Sequence, residues 1–176
     1  MSYSCDGDWH PSPCLRACDN KYIRARNNSL RGAGLVQVDR WFAKATTFED
    51  VARESVEKQR YDFACFTAQQ AVEFCLKGIL ISKVGMKSYS HSLDELMKAV
   101  GSVGIQIPPT VLACAKTLGE HYLQARYPDA RMSDYTLAEA EEAIKCMEVA
   151  LDFLRGVREA TKKERGTEGV KVRRVR

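Results

Sequence analysis

From Asp39 onward the chain alternates apolar and polar positions at steps of three and four. Trp41, Ala45, Phe48, Ala52 and Val56 recur at this spacing, with Glu49, Arg53, Glu54, Glu57 and Lys58 between them. This is the pattern of an amphipathic helix with one buried stripe. Arg60-Tyr61-Asp62 reads as a joint. The run that follows, about 62 to 83, is "FACFTAQQAVEFCLKGILI", apolar on nearly every side, so it predicts the central helix of a bundle. It has one polar stripe: Gln69 and Gln70, Glu73 and Lys77. Glu73 stands four residues before Lys77, the favourable order for a helical ion pair. The stripe reads either as a solvated seam or as a polar groove or dimer contact. Gly85 supplies the stop.

Ser92-Leu-Asp-Glu95 is a capping box that opens a short third helix ending by Gly101, with His91 just outside as a local hydrogen-bonding residue. Pro108-Pro109 launches a fourth helix with Val111, Ala115, Leu118 and Tyr122 on one face. Thr136-Leu-Ala-Glu139 is a second capping box. It begins a helix marked by Leu137, Ala140, Ile144, Met147, Leu151 and Leu154. No stretch carries strand-like alternation. The prediction is an all-α, antiparallel up-and-down helical bundle of four long helices and one short one.

Residues 1–38 show no period and read as an irregular extension, 39–160 as the bundle, and 161–176 as a basic tail. A valine codon can serve as a bacterial or archaeal start, so the first 35 or so residues read as an over-extended gene prediction. Within them Cys5, His10, Cys14 and Cys18 match no paired Cys-x2-Cys spacing, and no metal is expected there. The net charge of +4 is uneven. Five basic and three acidic residues fall in 1–38, eight and three in 158–176, and 14 and 17 between. Basic ends can touch phosphates without reading sequence. Of seven cysteines, Cys65, Cys75, Cys114 and Cys146 sit among apolar neighbours, as buried thiols in a reducing cytoplasm do. No run approaches the ~18 apolar residues of a membrane span, and the N-terminus has no secretory h-region.

The densest chemistry lies in "EHYLQARYPDARMSDYT", residues 120–136. Pro128 disfavours helical geometry at Tyr127, so the fourth helix should end near Arg126. Tyr122 and Arg126 share a face, and His121 adjoins them. Asp129 follows the turn, where it can pair with Arg126 or cap local amides. Two readings stand: a structural Arg126–Asp129 clasp, or an anion or nucleotide site on the same residues.

"FACFTAQQAVEFCLKGILISKVG", then "SHSLDEL", then "HYLQARYPDA" resemble the HEPN family (higher eukaryotes and prokaryotes nucleotide-binding domain) over about residues 40–157. The resemblance implies a helical bundle, usually a homodimer. Many members are metal-independent ribonucleases with an Arg-x(4–6)-His motif. There histidine moves a proton and arginine stabilises charge on phosphorus. Starting from Arg126, that histidine would fall at 131, 132 or 133, where this chain has Arg131, Met132 and Ser133. The departure argues against cleavage, leaving His121 and Arg126 as catalytic candidates only if paired differently. Other members resemble partners of minimal nucleotidyltransferases in toxin–antitoxin-like pairs, or bind nucleotides. Arg126, Tyr127, Asp129, Arg131 and Tyr122 suit that role, since guanidinium binds phosphate and tyrosine stacks on bases. The expectation is a cytoplasmic nucleotide- or RNA-associated binding module without a cofactor. A ribonuclease toxin and a structural oligomerisation unit are the rivals.

Overall fold

The computed structural model describes residues 31–85 and 87–173, with side chains from 37 to 164 apart from Met86; the Cys5–His10–Cys14–Cys18 set lies outside the described residues. The described residues from 33 onward belong to one compact unit. Among the described residues five helices follow in order: α1 (Arg31–Glu57), α2 (Tyr61–Val84), α3 (Leu93–Ser102), α4 (Pro109–Gln124) and α5 (Leu137–Arg173). No strand occurs among the described residues. The expected all-α bundle of four long helices and one short one is what the described residues form.

The α2 helix is central, packing against α3, α4 and α5. Its small residues make this possible: Ala64, Cys65, Ala68, Ala71, Cys75 and Gly78 are all buried. A Cβ on Gly78 would lie 3.0 Å from the Phe42 ring, so a side chain there would force that ring to give way. The α1 helix begins eight residues ahead of Asp39, and α5 runs to Arg173, past the expected boundary of the bundle near 160. The buried line of α1 is Val38, Phe42, Ala45, Glu49 and Ala52. Trp41 and Phe48, expected in that line, flank it instead and grip Phe74, at ring-centroid distances of 5.8 and 5.1 Å. Glu49 is tolerated inside because Arg53 and Arg155 both donate to it. Asp39–Arg158 and Arg53–Glu148 extend these ties between α1 and α5.

The helix ends follow local chemistry. The α1 helix stops where the Arg60 amide bonds the Ser55 carbonyl (2.8 Å) and the Gln59 amide bonds that of Val56 (2.9 Å), with Gln59 at φ 57°. This is a Schellman end with glutamine at the position that favours glycine. Gly85, at φ 72°, closes α2. At α3 the capping box runs through a third residue. Ser92 Oγ accepts the Glu95 amide (3.3 Å), whereas the Glu95 carboxylate accepts the Ser90 hydroxyl (2.5 Å) and Ser90 Oγ accepts the Ser92 amide (3.1 Å). At α5 the box is reciprocal: Glu139 accepts the Thr136 amide (2.8 Å) and Thr136 Oγ1 accepts the Glu139 amide (3.3 Å). Ala140, Ala143, Met147, Ala150, Leu151 and Leu154 fill the α5 side of the core, while Leu137, expected in that stripe, is exposed. No helix among the described residues is long and apolar enough to cross a membrane.

Candidate functional site

The α4 helix ends at Gln124, short of Arg126, and the Arg126 and Tyr127 amides both bond the Leu123 carbonyl (3.1 and 3.2 Å). Pro128 has no amide with which to continue the helix. This termination swings Arg126 into solvent among aromatic rings. Its guanidinium carbon lies 4.3 Å from the Tyr122 ring centroid, 5.4 Å from that of Tyr127 and 5.9 Å from that of Phe66 on α2. It donates to the Tyr127 hydroxyl at 3.2 Å, and this bond, followed by that to Tyr122, raises its already high pKa. The expected clasp to Asp129 does not form. Asp129 is exposed beyond the turn and joins none of the ion pairs or hydrogen bonds among the described residues, and the Arg126 guanidinium bonds the Tyr127 hydroxyl instead. Arg126 has no carboxylate partner among the described residues.

Arg126 and Tyr127 line an open cleft of about 630 Å³, together with Gln59, Tyr61, Asp62, Arg131 and Tyr135. Arg131 differs from Arg126 in kind. Its side chain is mostly buried and committed: to Glu139 (2.9 Å), to Ser133 (3.1 Å) and to the Asp134 carbonyl (3.4 Å), with its guanidinium 4.0 Å from the Tyr135 centroid. It braces the capping box of α5. Burial works to lower its pKa, but the bonds to Glu139 and Tyr135 outweigh it and hold the charge. The Thr136 backbone amide, with Arg131 in support, holds Glu139 below the ordinary carboxylate range.

His121 is buried on α4, with Nδ1 3.1 Å from the Tyr135 hydroxyl. Burial lowers its pKa, so it is neutral at physiological pH and belongs to the packing between α4 and the 131–136 loop. The structure does not bring it to the guanidinium of Arg126 as a catalytic pair: its ring turns to Tyr135.

The polar stripe of α2 is not solvated. Gln69, Glu73 and Lys77 are buried, and Gln70 is half-buried. Glu73 Oε1 accepts from Lys77 Nζ (2.9 Å) and lies 2.9 Å from His91 Nδ1. Its Oε2 accepts from Gln70 (2.9 Å) and Gln69 (3.2 Å). Three donors and the His91 ring nitrogen thus surround the two oxygens of one carboxylate. Gln69 reaches on to the His91 carbonyl at 3.4 Å. The His91 side chain is 53% exposed and stacks on Tyr122, with centroids 5.2 Å apart and planes at 12°. Sequence spacing suggests only a local role for His91. Its partner Glu73 lies 18 residues away on another element, and no spacing rule marks such a pair.

Among the described residues no cluster of His, Cys, Asp or Glu could hold a metal ion. Burial pushes the Cys65 and Cys75 thiols up to about 12, so they are inert apolar packing.

A helical bundle bearing an arginine in an aromatic cradle, with a buried carboxylate network beside it, defines a small all-α domain with a polar surface site. The HEPN domain profile matches residues 38–157, and the chain belongs to this family. Among solved structures it is similar to TT1696 from Thermus thermophilus, at 31% identity and TM-score 0.64, covering 68% of this chain and 97% of that one. The archaeal HEPN homologue ST0689 is 30% identical with TM-score 0.56, over 68% of this chain and 95% of its own. A HEPN domain protein of Thermotoga maritima, 22% identical with TM-score 0.56 over 68% and 98%, shares the fold. Comparison with curated proteins gives no match.

Proposed function

We propose that this HEPN-family chain is a nucleotide- or RNA-associated binding module whose phosphate contact is Arg126. The observation that carries the reading is an exposed guanidinium with no carboxylate partner among the described residues, held between Tyr122, Tyr127 and Phe66 at the lip of an open cleft. Structural arginines in this same loop look different, as Arg131 does: mostly buried and bonded to a glutamate. A guanidinium presents a fork to a phosphate, and the exposed Tyr127 ring offers a face for a base. The same reading makes the module a homodimer that works beside a minimal nucleotidyltransferase, roles that membership of the HEPN family implies for some of its members. It makes metal-independent RNA cleavage absent, because His121 is neutral, buried and turned to Tyr135.

The test is a titration of ATP, GTP and a short RNA against the wild type and Arg126→Ala. Loss of binding with an unchanged thermal melt supports the reading. Unchanged binding overturns it.

A further inference from the structure

The buried network of α2 reaches solvent at His91, whose side chain is about half exposed. Glu73 accepts from the Lys77 ammonium and from the Gln69 and Gln70 amides, so it is an ionised acceptor. An ionised carboxylate can only accept, so His91 Nδ1 carries a proton. In the neutral imidazole the other nitrogen, Nε2, is therefore a bare acceptor. No described residue bonds Nε2, and the side chain is 53% exposed. The ring cannot swing freely: Tyr122 stacks on it, and Gln69 bonds its carbonyl. The Tyr122 ring that carries His91 also carries the Arg126 guanidinium.

We infer that His91 Nε2 is a ligand-binding acceptor. It takes a hydrogen bond from a ribose hydroxyl of the molecule whose phosphate sits on Arg126, with Glu73 as its positioning residue. This deepens the proposed function and rests on it. A guanidinium and a neutral imidazole acceptor joined by one tyrosine ring match a ligand that offers an anionic oxygen and, close by, a hydroxyl donor. A ribonucleotide has both, whether free or in a chain. Holding the Nδ1–H tautomer is a use for three buried polar side chains, Gln69, Glu73 and Lys77, in the middle of a largely apolar helix. Without it the network is costly to place there.

Two measurements on the full chain test this. The first needs no ligand: nitrogen-15 NMR at a pH where His91 is neutral should show Nδ1 protonated and Nε2 bare. In Glu73→Gln that tautomer preference should weaken. Protonation on Nε2 in the wild type overturns the inference. The second is titration of ATP against 2′,3′-dideoxy-ATP, and of a short RNA against the DNA of the same sequence; the two pairs separate a free nucleotide from a chain. The wild type should favour the hydroxyl-bearing member of at least one pair by about tenfold, the scale of one hydrogen bond. His91→Phe keeps a ring on Tyr122 without a nitrogen and should erase that preference. A preference that survives in His91→Phe, or a uniform weakening of all four ligands, overturns the inference. Binding that depends on Arg126 but ignores the hydroxyls overturns it while leaving the proposed function standing. Absence of binding by the wild type overturns both.

Discussion

Replacing Glu73 by leucine removes one carboxylate that four side chains use at once. Lys77, whose side chain is 5% exposed, loses its acceptor and keeps its charge in the interior. Breaking a buried pair in this way costs about 3–5 kcal/mol. The Gln69 amide, fully buried, loses its Glu73 bond, at a further cost of about 1–3 kcal/mol, while half-buried Gln70 can turn to water. The sum is of the order of the whole stability of a small domain, about 5–15 kcal/mol. Lys77→Leu should be much milder, about 1–3 kcal/mol. Glu73 then loses its counter-ion but keeps Gln69, Gln70 and His91 as hydrogen-bond partners, whereas in Glu73→Leu the stranded Lys77 ammonium keeps none of its bonds to Glu73. The double leucine variant should be more stable than Glu73→Leu alone, because it deletes the stranded ammonium. Urea unfolding followed by far-ultraviolet circular dichroism gives the three values, compared at constant m. Should Glu73→Leu fail to fold, Glu73→Gln supplies the ranking, since it too strands the Lys77 charge. Equal losses for the two single variants, or a larger loss for Lys77→Leu, would refute the account of Glu73 as the hub.

Three further outcomes follow from the same structure. Gln59→Gly should stabilise the fold by about 1 kcal/mol in the same unfolding assay, because Gln59 holds φ 57° at the end of α1 where glycine carries no strain; a loss of stability would mean that its side chain makes a stabilising contact in the cleft. His121 has a folded pKa below its ordinary 6.5, so its contribution is complete above pH 6.5 and is lost as pH falls through the folded value. Melting curves across that range should flatten in His121→Gln relative to the wild type, and a slope unchanged by the substitution would contradict the burial assigned to it. Arg131→Ala should destabilise by about 2–3 kcal/mol through its lost bond to Glu139, whereas Arg126→Ala, exposed and resting on ring contacts, should cost under about 1 kcal/mol; reversed values in denaturant titrations would exchange the roles of the two arginines.

The bundle was legible because period and capping are local. The Thr136–Glu139 box, the Pro108–Pro109 entry and the Gly85 stop each act within a turn of themselves, and each terminates or starts a helix where expected. The rotation of the α1 stripe from Trp41 to Phe42 was not legible, since both residues are large and apolar. What chooses between them is the space above Gly78 on another helix. The site was less readable for the same reason. Arg126 and Tyr122 were placed together by helical spacing, and they do meet. Arg126 and Asp129 are close in sequence, but the direction in which a Tyr-Pro turn leaves a helix decides whether they touch. Arg131 looked like a second phosphate ligand until Glu139, already visible as a capping residue, proved to be its partner. The α2 stripe looked wet because its residues are polar. It is dry because they satisfy one another, with His91 supplied from beyond the helix.

The central claim, that Arg126 is a phosphate contact, is tested most directly by the salt dependence of binding to a short single-stranded RNA in the wild type and in Arg126→Ala. Each phosphate contact contributes about 0.7 to the slope of log K against log salt for a single strand. The account predicts weaker binding by the variant and a slope flatter by about that amount. Parallel slopes, with affinity intact, would contradict it.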